Sequence, residues 1–317
     1  MRILNIDPYC YSEEAKKILR SFGDVEEIEY SRDQLIKKIH NVDVLILRFS
    51  HRIDRDIIDN APKLKIIASN VTGVDHIDVE YAKNRGIDVV CLKGEYEFLR
   101  GIHATAELTW GLILASLRNI PAAIDSVKQG EWERDKFIGN DLFGRQLGVI
   151  GLGRIGEKIA RYGQAFGMNV VAFDVDADKF EKLPFVSIAG SLSECLENSD
   201  VVTIHVPLDN STHHLIGEHQ LSIMKQSSVL INTSRGTIID DDALLYALTN
   251  GLIYGAALDV LSGECGNSFV SPLVKYAKEN GNLLITPHIG GVTHQAWEKT
   301  EVFIAGKVAE RIELKSN

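Results

Sequence analysis

One stretch of the chain decides the fold: LGVIGLGRIGEKIARYGQAFGMNVVAFD, residues 147–174. A short apolar run leads into the glycine-rich sequence GLGRIG, a helix-like segment follows, and a second apolar run ends at Asp174. A strand, a glycine-rich turn, a helix and a second strand in this order are typical of the βαβ unit that binds dinucleotides. Gly151 would permit the tight turn, Gly153 would let the backbone approach a pyrophosphate, and Gly156 would let the helix pack on the strand. The motif therefore predicts a dinucleotide site with the pyrophosphate at the helix N-terminus.

Asp174 stands where such units place the acid that binds the 2′-hydroxyl of the adenosine ribose, about 20 residues beyond the first glycine. Asp176 follows closely, and the first basic residue beyond it is Lys179. A 2′-phosphate would meet two carboxylates here, and like charges at close range repel. The sequence therefore predicts NAD rather than NADP as the cofactor. The alternative for Asp174 is an ordinary turn residue at the end of a strand.

The composition limits the class of protein. A chain of 317 residues is long enough for about two domains. Its net charge of −10 argues against a nucleic-acid partner, because nucleic-acid-binding surfaces are normally basic. No apolar run approaches the ~18 residues of a membrane-spanning helix. The four cysteines are far apart, and His213 and His214 have no recognised metal-ligand spacing, so we expect a cytoplasmic protein with reduced thiols and no metal centre.

Strand-like and helical segments alternate along most of the chain, which predicts an α/β fold with parallel sheets in two lobes. A long apolar helix from His103 to Leu117 interrupts the alternation, which resumes at Gln146. The last predicted helix, from about His294 to Leu314, is expected to return to the first lobe. The predicted strands are Ile3–Ile6, Val25–Ile28, Val44–Leu47, Lys65–Ala68, Ile87–Cys91, Leu147–Ile150, Asn169–Phe173, Val201–His205, Val229–Asn232, Gly255–Val260 and Leu283–Thr286.

Three polar residues follow buried strands in the second half of the chain, at the edge where open α/β sheets bind ligands: Arg235, Glu264 and His288. Oxidising a hydroxyl group needs a base that takes its proton as hydride leaves the carbon, and a histidine oriented by a carboxylate suits that role. An arginine can hold a carboxylate or polarise a carbonyl group. Spacing alone does not show that the three converge. The plainer alternatives are a surface ion pair for Arg235, a loop carboxylate for Glu264 and a turn histidine for His288.

Seven strings, in this order and spacing, resemble the D-2-hydroxyacid dehydrogenase family over nearly the whole chain. They are NVTGVDHID (70–78), ATAE (104–107), LGVIGLGRIG (147–156), HVPL (205–208), INTSRG (231–236), ALDV (257–260) and TPHIGG (286–291). The resemblance implies two Rossmann-like parallel-sheet lobes with a cleft between them. Residues 1–102 plus 288–317 would form the substrate-binding, catalytic domain, and residues 103–287 the NAD-binding domain. It also implies a homodimer formed through the 105–140 region.

The resemblance assigns roles to single residues. Arg235 would anchor the substrate, His288 would act as acid and base, and Glu264 would be the partner of His288. Backbone N–H groups at Thr72 and Gly73 would bind the substrate carboxylate across the cleft, and Asp259 would face the nicotinamide carboxamide. The residues expected along NAD are Thr105, Gly151, Gly153, Arg154, Ile155, Gly156, Asp174, His205, Val206, Pro207, Thr212, Thr233, Ser234, Asp259 and Gly290. In one departure, Cys265 follows the glutamate where family members commonly have proline, which leaves the loop beyond Glu264 undefined.

The sequence is compatible with several substrates. The sequence around Arg48 and the segment 131–139, with Arg134, resemble the phosphoglycerate dehydrogenase subfamily, where such arginines lie at the substrate phosphate. Ser69 stands where that subfamily often has a further arginine. The sequence therefore predicts a 2-hydroxy or 2-oxo acid, with 3-phosphohydroxypyruvate as first candidate and hydroxypyruvate or glyoxylate as alternatives. A non-enzymatic, NAD-sensing protein similar to corepressors of this fold is the alternative from another class.

Overall fold

A computed structural model describes residues 1–176, 183–264 and 271–316. Its chain divides into two units, one containing Met1–Ile102 and residues 292–316, the other containing His103–Glu264 and residues 271–291. Each unit has one parallel sheet, as the sequence predicts for this fold class. No helix of the described residues is long and apolar enough to span a bilayer.

In chain order the strands are β1 (Arg2–Asn5), β2 (Asp24–Glu27), β3 (Val44–Leu47), β4 (Ile66–Ser69), β5 (Asp88–Val90), β6 (Gln146–Ile150), β7 (Asn169–Phe173), β8 (Val186–Ile188), β9 (Val201–Ile204), β10 (Val229–Asn232), β11 (Gly255–Leu258) and β12 (Leu283–Ile285). The helices are α1 (Glu13–Arg20), α2 (Arg32–Lys38), α3 (Arg55–Asp59), α4 (Val79–Asn84), α5 (Tyr96–Arg100), α6 (Ala104–Leu117), α7 (Ile120–Lys128), α8 (Arg154–Ala165), α9 (Leu192–Asn198), α10 (Glu218–Ser222), α11 (Asp241–Thr249), α12 (Pro272–Glu279) and α13 (His294–Ser316).

The first unit is built on five parallel strands in the order β2-β1-β3-β4-β5. The central strands β3 and β4 are buried at every position, which is typical of parallel strands covered by helices on both faces. Helix α13 packs against α1 and against β4 and β5, so the last helix returns to the first unit as predicted. Its buried positions Ala296, Thr300, Ile304, Val308 and Ile312 recur every four residues and so form one face of the helix.

The second unit is built on seven parallel strands in the order β12-β11-β10-β9-β6-β7-β8. Strand β8 is absent from the sequence prediction because it has three residues, two of them exposed, and pairs only with β7 at the sheet edge. Residues 288–291 pack with this unit, whereas the predicted domain boundary gave them to the first. The cause is Asp259, which follows β11 and accepts backbone N–H groups from Ile289 and Gly290.

Candidate functional site

The glycine-rich turn lies between β6 and α8, and its geometry requires glycine. Gly151 has φ +90°, and a Cβ atom there would lie 2.8 Å from the carbonyl carbon of His205. A Cβ atom on Gly156 would collide with the carbonyl oxygen of Gly151. Gly153, the N-cap of α8, faces open space, because a Cβ atom there would meet nothing within 4 Å. The turn is thus tight at two glycines and open at the third, which fits a pyrophosphate lying against the backbone.

The first turns of α8 contain two cations, Arg154 and Lys158, and one carboxylate, Glu157. Gly153 provides no side-chain cap, so the first N–H groups of the helix point toward the open side of the turn. Burial lowers the pKa of the Arg154 guanidinium, and burial together with the charge of Arg154 lowers that of Lys158. An anion at this helix end would stabilise both cations, as it would the helix dipole. These residues therefore fit the pyrophosphate of a dinucleotide.

Asp174 follows β7, and its carboxylate binds the backbone of the glycine turn. It accepts the N–H groups of Leu152 at 2.7 Å and of Asp176 at 2.9 Å. The side chain therefore supports the turn, as the plainer alternative for this residue requires, and it places a negative charge where the sequence predicts the ribose. Its contact with the ribose stays a prediction.

We expect Asp174→Asn to reduce the preference for NADH over NADPH by roughly tenfold, because relieving one like-charge repulsion at close range is worth about 1 kcal/mol or more. The variant keeps an oxygen that can accept the Leu152 N–H group, so the turn is retained. The measurement is the ratio of kcat/KM values for the two cofactors. An equal change in Asp141→Asn, an exposed acid before the amino end of β6, would show that net charge alone is responsible.

The segment after β9 also lies beside the glycine turn. His205 pairs through Nε2 with the Thr203 hydroxyl at 2.8 Å, and burial lowers its pKa to about 3, which keeps the ring neutral. Its Nδ1 is buried without a hydrogen-bond partner among the described residues. The Thr212 hydroxyl donates to the carbonyl oxygen of Pro207 at 2.6 Å and accepts the Asp209 N–H at 2.8 Å. Hydrogen bonds within this loop therefore stabilise it. The residues of the loop that are predicted to contact NAD are His205, Val206, Pro207 and Thr212.

Asn232, which sequence reasoning did not single out, shapes the turn that presents Arg235. The Asn232 side chain is 1% exposed, donates to the carbonyl oxygen of Arg235 and accepts the N–H of Ser234, both at 2.9 Å. The Ser234 hydroxyl donates to the carbonyl oxygen of Ile204 at 2.8 Å, which ties the turn to β9. A buried asparagine at the end of an apolar strand was the available signal.

Two further contacts fix this turn. The hydroxyl groups of Thr233 and Thr109 lie 2.8 Å apart, and Thr109 also donates to the carbonyl oxygen of Thr105. A Cβ atom on Gly236 would collide with the backbone of Leu261, so the turn of Arg235 lies directly against the loop that leads to Glu264. The predicted residues Thr105 and Thr233 thus belong to one contiguous cluster with Arg235.

Asp259 organises the turn that presents His288. Its carboxylate is 1% exposed and accepts the Thr286 hydroxyl at 2.6 Å, the Ile289 N–H at 2.8 Å and the Gly290 N–H at 2.7 Å. Burial raises the pKa of Asp259, and these three donors oppose that rise. Asp259 therefore has a supporting role that the sequence did not reveal, and its contact with the nicotinamide carboxamide stays a prediction.

His288 and Glu264 form the central pair of the site. The imidazole Nδ1 lies 2.7 Å from Glu264 Oε1, while Oε2 of the same carboxylate accepts the Leu261 N–H at 3.2 Å. His288 has φ +54°, a left-handed backbone conformation that is uncommon outside glycine and often occurs at functional sites. Its N–H donates to the carbonyl oxygen of Asp259 at 2.8 Å, which holds that conformation. A carboxylate at Nδ1 fixes the ring and assigns proton transfer to Nε2.

The two arginines predicted at a substrate phosphate each have a carboxylate partner within their own unit. In the first unit, the Arg48 guanidinium binds the fully buried carboxylate of Glu301 at 2.5 Å, and its central carbon lies 3.9 Å from the Trp297 ring centroid. Arg134 is 93% exposed, and the structure pairs its Nε with Asp135 at 3.0 Å. Arg48 is thus neutralised from within and Arg134 is solvated, so neither geometry supports the predicted phosphate role.

Thr72 and Gly73 follow β4 at the carboxyl edge of the first sheet, where ligands of such sheets bind.

The described residues contain no cluster of three or more metal-ligating side chains. The rings of His213 and His214 stack on each other 4.0 Å apart, and His214 approaches the carboxylate of Asp240 at 3.5 Å. The loop from Cys265, for which the sequence left the geometry open, lies outside the described residues.

A family model for the D-isomer specific 2-hydroxyacid dehydrogenase NAD-binding domain matches residues 110–290. The chain is 39% identical to the D-3-phosphoglycerate dehydrogenase of Methanocaldococcus jannaschii over its full length, but it spans only 59% of that protein. It is 36% identical to the glyoxylate reductase of Thermococcus gammatolerans, and the match covers 88% of this chain and 83% of the reductase. Its structure is similar to that of D-lactate dehydrogenase from Aquifex aeolicus complexed with NAD and lactic acid, at 29% identity and a TM-score of 0.85, covering 99% and 96% of the two chains.

Proposed function

Because the chain belongs to the D-isomer specific 2-hydroxyacid dehydrogenase family, we propose that it transfers hydride between NAD and C2 of a short D-2-hydroxy acid or the corresponding 2-oxo acid. The observation that carries this proposal is the 2.7 Å bond between His288 and Glu264. The pair lies in the same unit as the glycine turn and the turn of Arg235. An NAD-sensing protein would need the glycine turn but not these three groups together.

Each group has one task in the proposed reaction. When bound, NADH would donate the hydride in reduction and NAD⁺ would accept it in oxidation, and the open turn at Gly153 and the cationic residues of α8 would hold the pyrophosphate. Arg235 binds the substrate carboxylate or carbonyl oxygen through its planar guanidinium. His288 delivers a proton from Nε2 to the carbonyl oxygen in reduction and takes it back in oxidation. Glu264 orients the ring and stabilises the imidazolium form. Backbone N–H groups at Thr72 and Gly73 bind the substrate carboxylate.

The substrate that the geometry supports best is a 2-oxo acid with a short, uncharged tail, such as glyoxylate or hydroxypyruvate. Arg48 already binds Glu301, and Ser69, which is fully buried, adds no charge. Among the relatives, glyoxylate reductases and a hydroxypyruvate reductase of Thermotoga maritima fit this proposal. The second candidate, 3-phosphohydroxypyruvate, has the support of the phosphoglycerate dehydrogenase relative and of the sequence around Arg48.

The test is a comparison of kcat/KM with NADH for glyoxylate, hydroxypyruvate, pyruvate and 3-phosphohydroxypyruvate. We expect hydroxypyruvate or glyoxylate to exceed the phosphorylated acid by about tenfold or more, because an arginine that is already paired cannot provide the roughly 1.5–3 kcal/mol of a charged hydrogen bond. A lead for the phosphorylated acid would select the second candidate and leave the reaction type unchanged. No oxidation of NADH with any of the four acids would refute the proposed function.

We also propose a homodimer formed through the 105–140 region. The support is an apolar surface on α7 and the segment after it, where Ile120, Ile124, Val127, Trp132 and Ile138 are exposed. Exposed apolar surface of this kind commonly marks an interface between proteins. A cytoplasmic location is part of the same proposal, because Cys10, Cys91 and Cys195 are free thiols, as expected in a reducing compartment.

A further inference from the structure

Two polar side chains lie on the buried face of α13 in the first unit. Glu301 is fully buried and Thr300 is 6% exposed, among aliphatic neighbours on the same helix. Burial raises the pKa of Glu301, although the Arg48 guanidinium opposes the rise. Replacing a buried ion pair by apolar residues of similar volume is commonly neutral or stabilising, so such a pair is weak evidence for a role in stability. Its contacts point to another role.

Both side chains contact residues at the carboxyl ends of neighbouring parallel strands. Arg48 is the first residue after β3, and it links Glu301 to the loop after β1 through a bond from Nη1 to the carbonyl oxygen of Tyr9 at 3.0 Å. Asn70 is the first residue after β4, and its Nδ2 donates to the Thr300 hydroxyl at 3.2 Å. Strands β1, β3 and β4 are adjacent in the sheet. Helix α13 therefore binds the loops that follow these three adjacent strands, at the carboxyl edge of the sheet.

The geometry of Arg48 is fixed by several contacts at once. Its backbone N–H donates to the Asp7 carboxylate at 2.5 Å, and its carbonyl oxygen accepts the Ser69 hydroxyl at 3.4 Å. Trp297, one turn before Glu301 on α13, covers the guanidinium. The second oxygen of Glu301 accepts the N–H of Ser12, where α1 begins. Glu301 thus joins the loops after β1 and β3, while its neighbour Thr300 binds the first residue after β4.

We propose that Glu301 and Thr300 are positioning residues that hold the segment after β4 in the conformation in which Thr72 and Gly73 bind the substrate carboxylate. This inference rests on the proposed function, which assigns Thr72 and Gly73 to the substrate. A hydrogen bond fixes direction and distance, whereas apolar packing of the same volume fixes neither to the same degree. The buried pair therefore serves orientation of the loops at this edge, and its removal weakens substrate binding even when the fold is retained.

The decisive variant replaces the pair by apolar residues of similar volume, Arg48→Met with Glu301→Met. We expect the fold to be retained with a melting temperature close to that of the native protein, since no charge is left unpaired and the Ser12 N–H and Tyr9 carbonyl oxygen are the backbone groups that lose a partner. We expect KM for the preferred 2-oxo acid to rise about tenfold with kcat changed by less than about twofold, because the lost interaction binds substrate and transition state alike. Thr300→Val removes the bond to Asn70 together with the bond from the Thr300 hydroxyl to the carbonyl oxygen of Ala296 within α13. It should raise KM in the same direction, and it provides a second test if the double variant does not fold.

The matched control is Arg2→Met with Glu26→Met, which removes a partly exposed ion pair of 2.7 Å between the first residue of β1 and the third residue of β2. It should leave KM and kcat unchanged. Hydrogen exchange of the backbone amides of residues 70–76 provides a readout that does not depend on activity, and we expect faster exchange in the Arg48/Glu301 and Thr300 variants only.

Native KM values together with native exchange in both the double variant and Thr300→Val would overturn the proposal. Failure of the proposed function is a different result, because the native protein itself would then oxidise no NADH with any 2-oxo acid. In that case the hydrogen-exchange rates of residues 70–76 in the variants would still show whether α13 holds this segment.

Discussion

Replacing His288 by alanine is expected to lower kcat by roughly 10²–10⁴-fold, the range of general acid–base catalysis. The carbonyl oxygen would then receive its proton from water instead of from an imidazole fixed by Glu264 at 2.7 Å. NADH binding should be retained, because the glycine turn and Asp174 do not depend on the imidazole ring. The measurements are kcat with the preferred 2-oxo acid and the dissociation constant of NADH from fluorescence quenching.

His214→Ala is the matched control for this variant. His214 also has a left-handed backbone conformation, φ +51°, and its Nδ1 also approaches a carboxylate, that of Asp240 at 3.5 Å. It lies in the loop after β9, and no catalytic role is proposed for it. Its removal should leave kcat within about twofold of the native value, as expected for a surface change. Turnover near the native rate in His288→Ala would contradict the assignment of the proton carrier.

The second large effect is expected from Arg235→Met, which keeps the length of the side chain and removes its charge. We expect kcat/KM to fall about 10–150-fold, the equivalent of the roughly 1.5–3 kcal/mol of a hydrogen bond to a charged group. Arg235→Lys should recover only part of this loss, because an ammonium group cannot bind a carboxylate bidentately.

Arg161→Met is the control for Arg235. It removes an exposed arginine that pairs with Glu157 on α8, at 3.0 Å and four residues away. Such surface pairs contribute little, so kcat/KM should remain close to native. A similar loss in both variants would mean that general charge, and not a contact with the substrate, explains the effect of Arg235.

Much of the fold follows from local sequence. The ends of the eleven predicted strands lie within two residues of the observed ends. Most of these strands are apolar runs, as parallel strands buried on both faces require, whereas the edge strand β2 contains two glutamates. The glycine turn could also be predicted from local sequence, because few residues other than glycine adopt the φ of +90° that Gly151 has. Strand β8 was missed because a three-residue edge strand has neither length nor alternation to mark it.

The site was only partly readable, because its contacts are long-range. Glu264 and His288 are 24 residues apart, and only the resemblance to the dehydrogenase family brought them together before the structure did. Arg48 and Glu301 are 253 residues apart, and the sequence around Arg48 does not indicate that its partner is a buried carboxylate on the last helix. The phosphate role of Arg48 therefore stays a prediction, since a charge that is visible in the sequence does not disclose its partner in space.

The most direct test of the central claim follows the hydride itself. Native protein would be supplied with the 2-oxo acid of highest kcat/KM, expected to be hydroxypyruvate, and with NADH deuterated at C4, first on one face and then on the other. The product would be analysed by mass spectrometry and chiral chromatography. We predict that deuterium from one face of the nicotinamide appears at C2 of D-glycerate. NADH that binds without being oxidised, or that is oxidised while the acid remains unlabelled, would contradict the assignment of this chain as a D-2-hydroxyacid dehydrogenase.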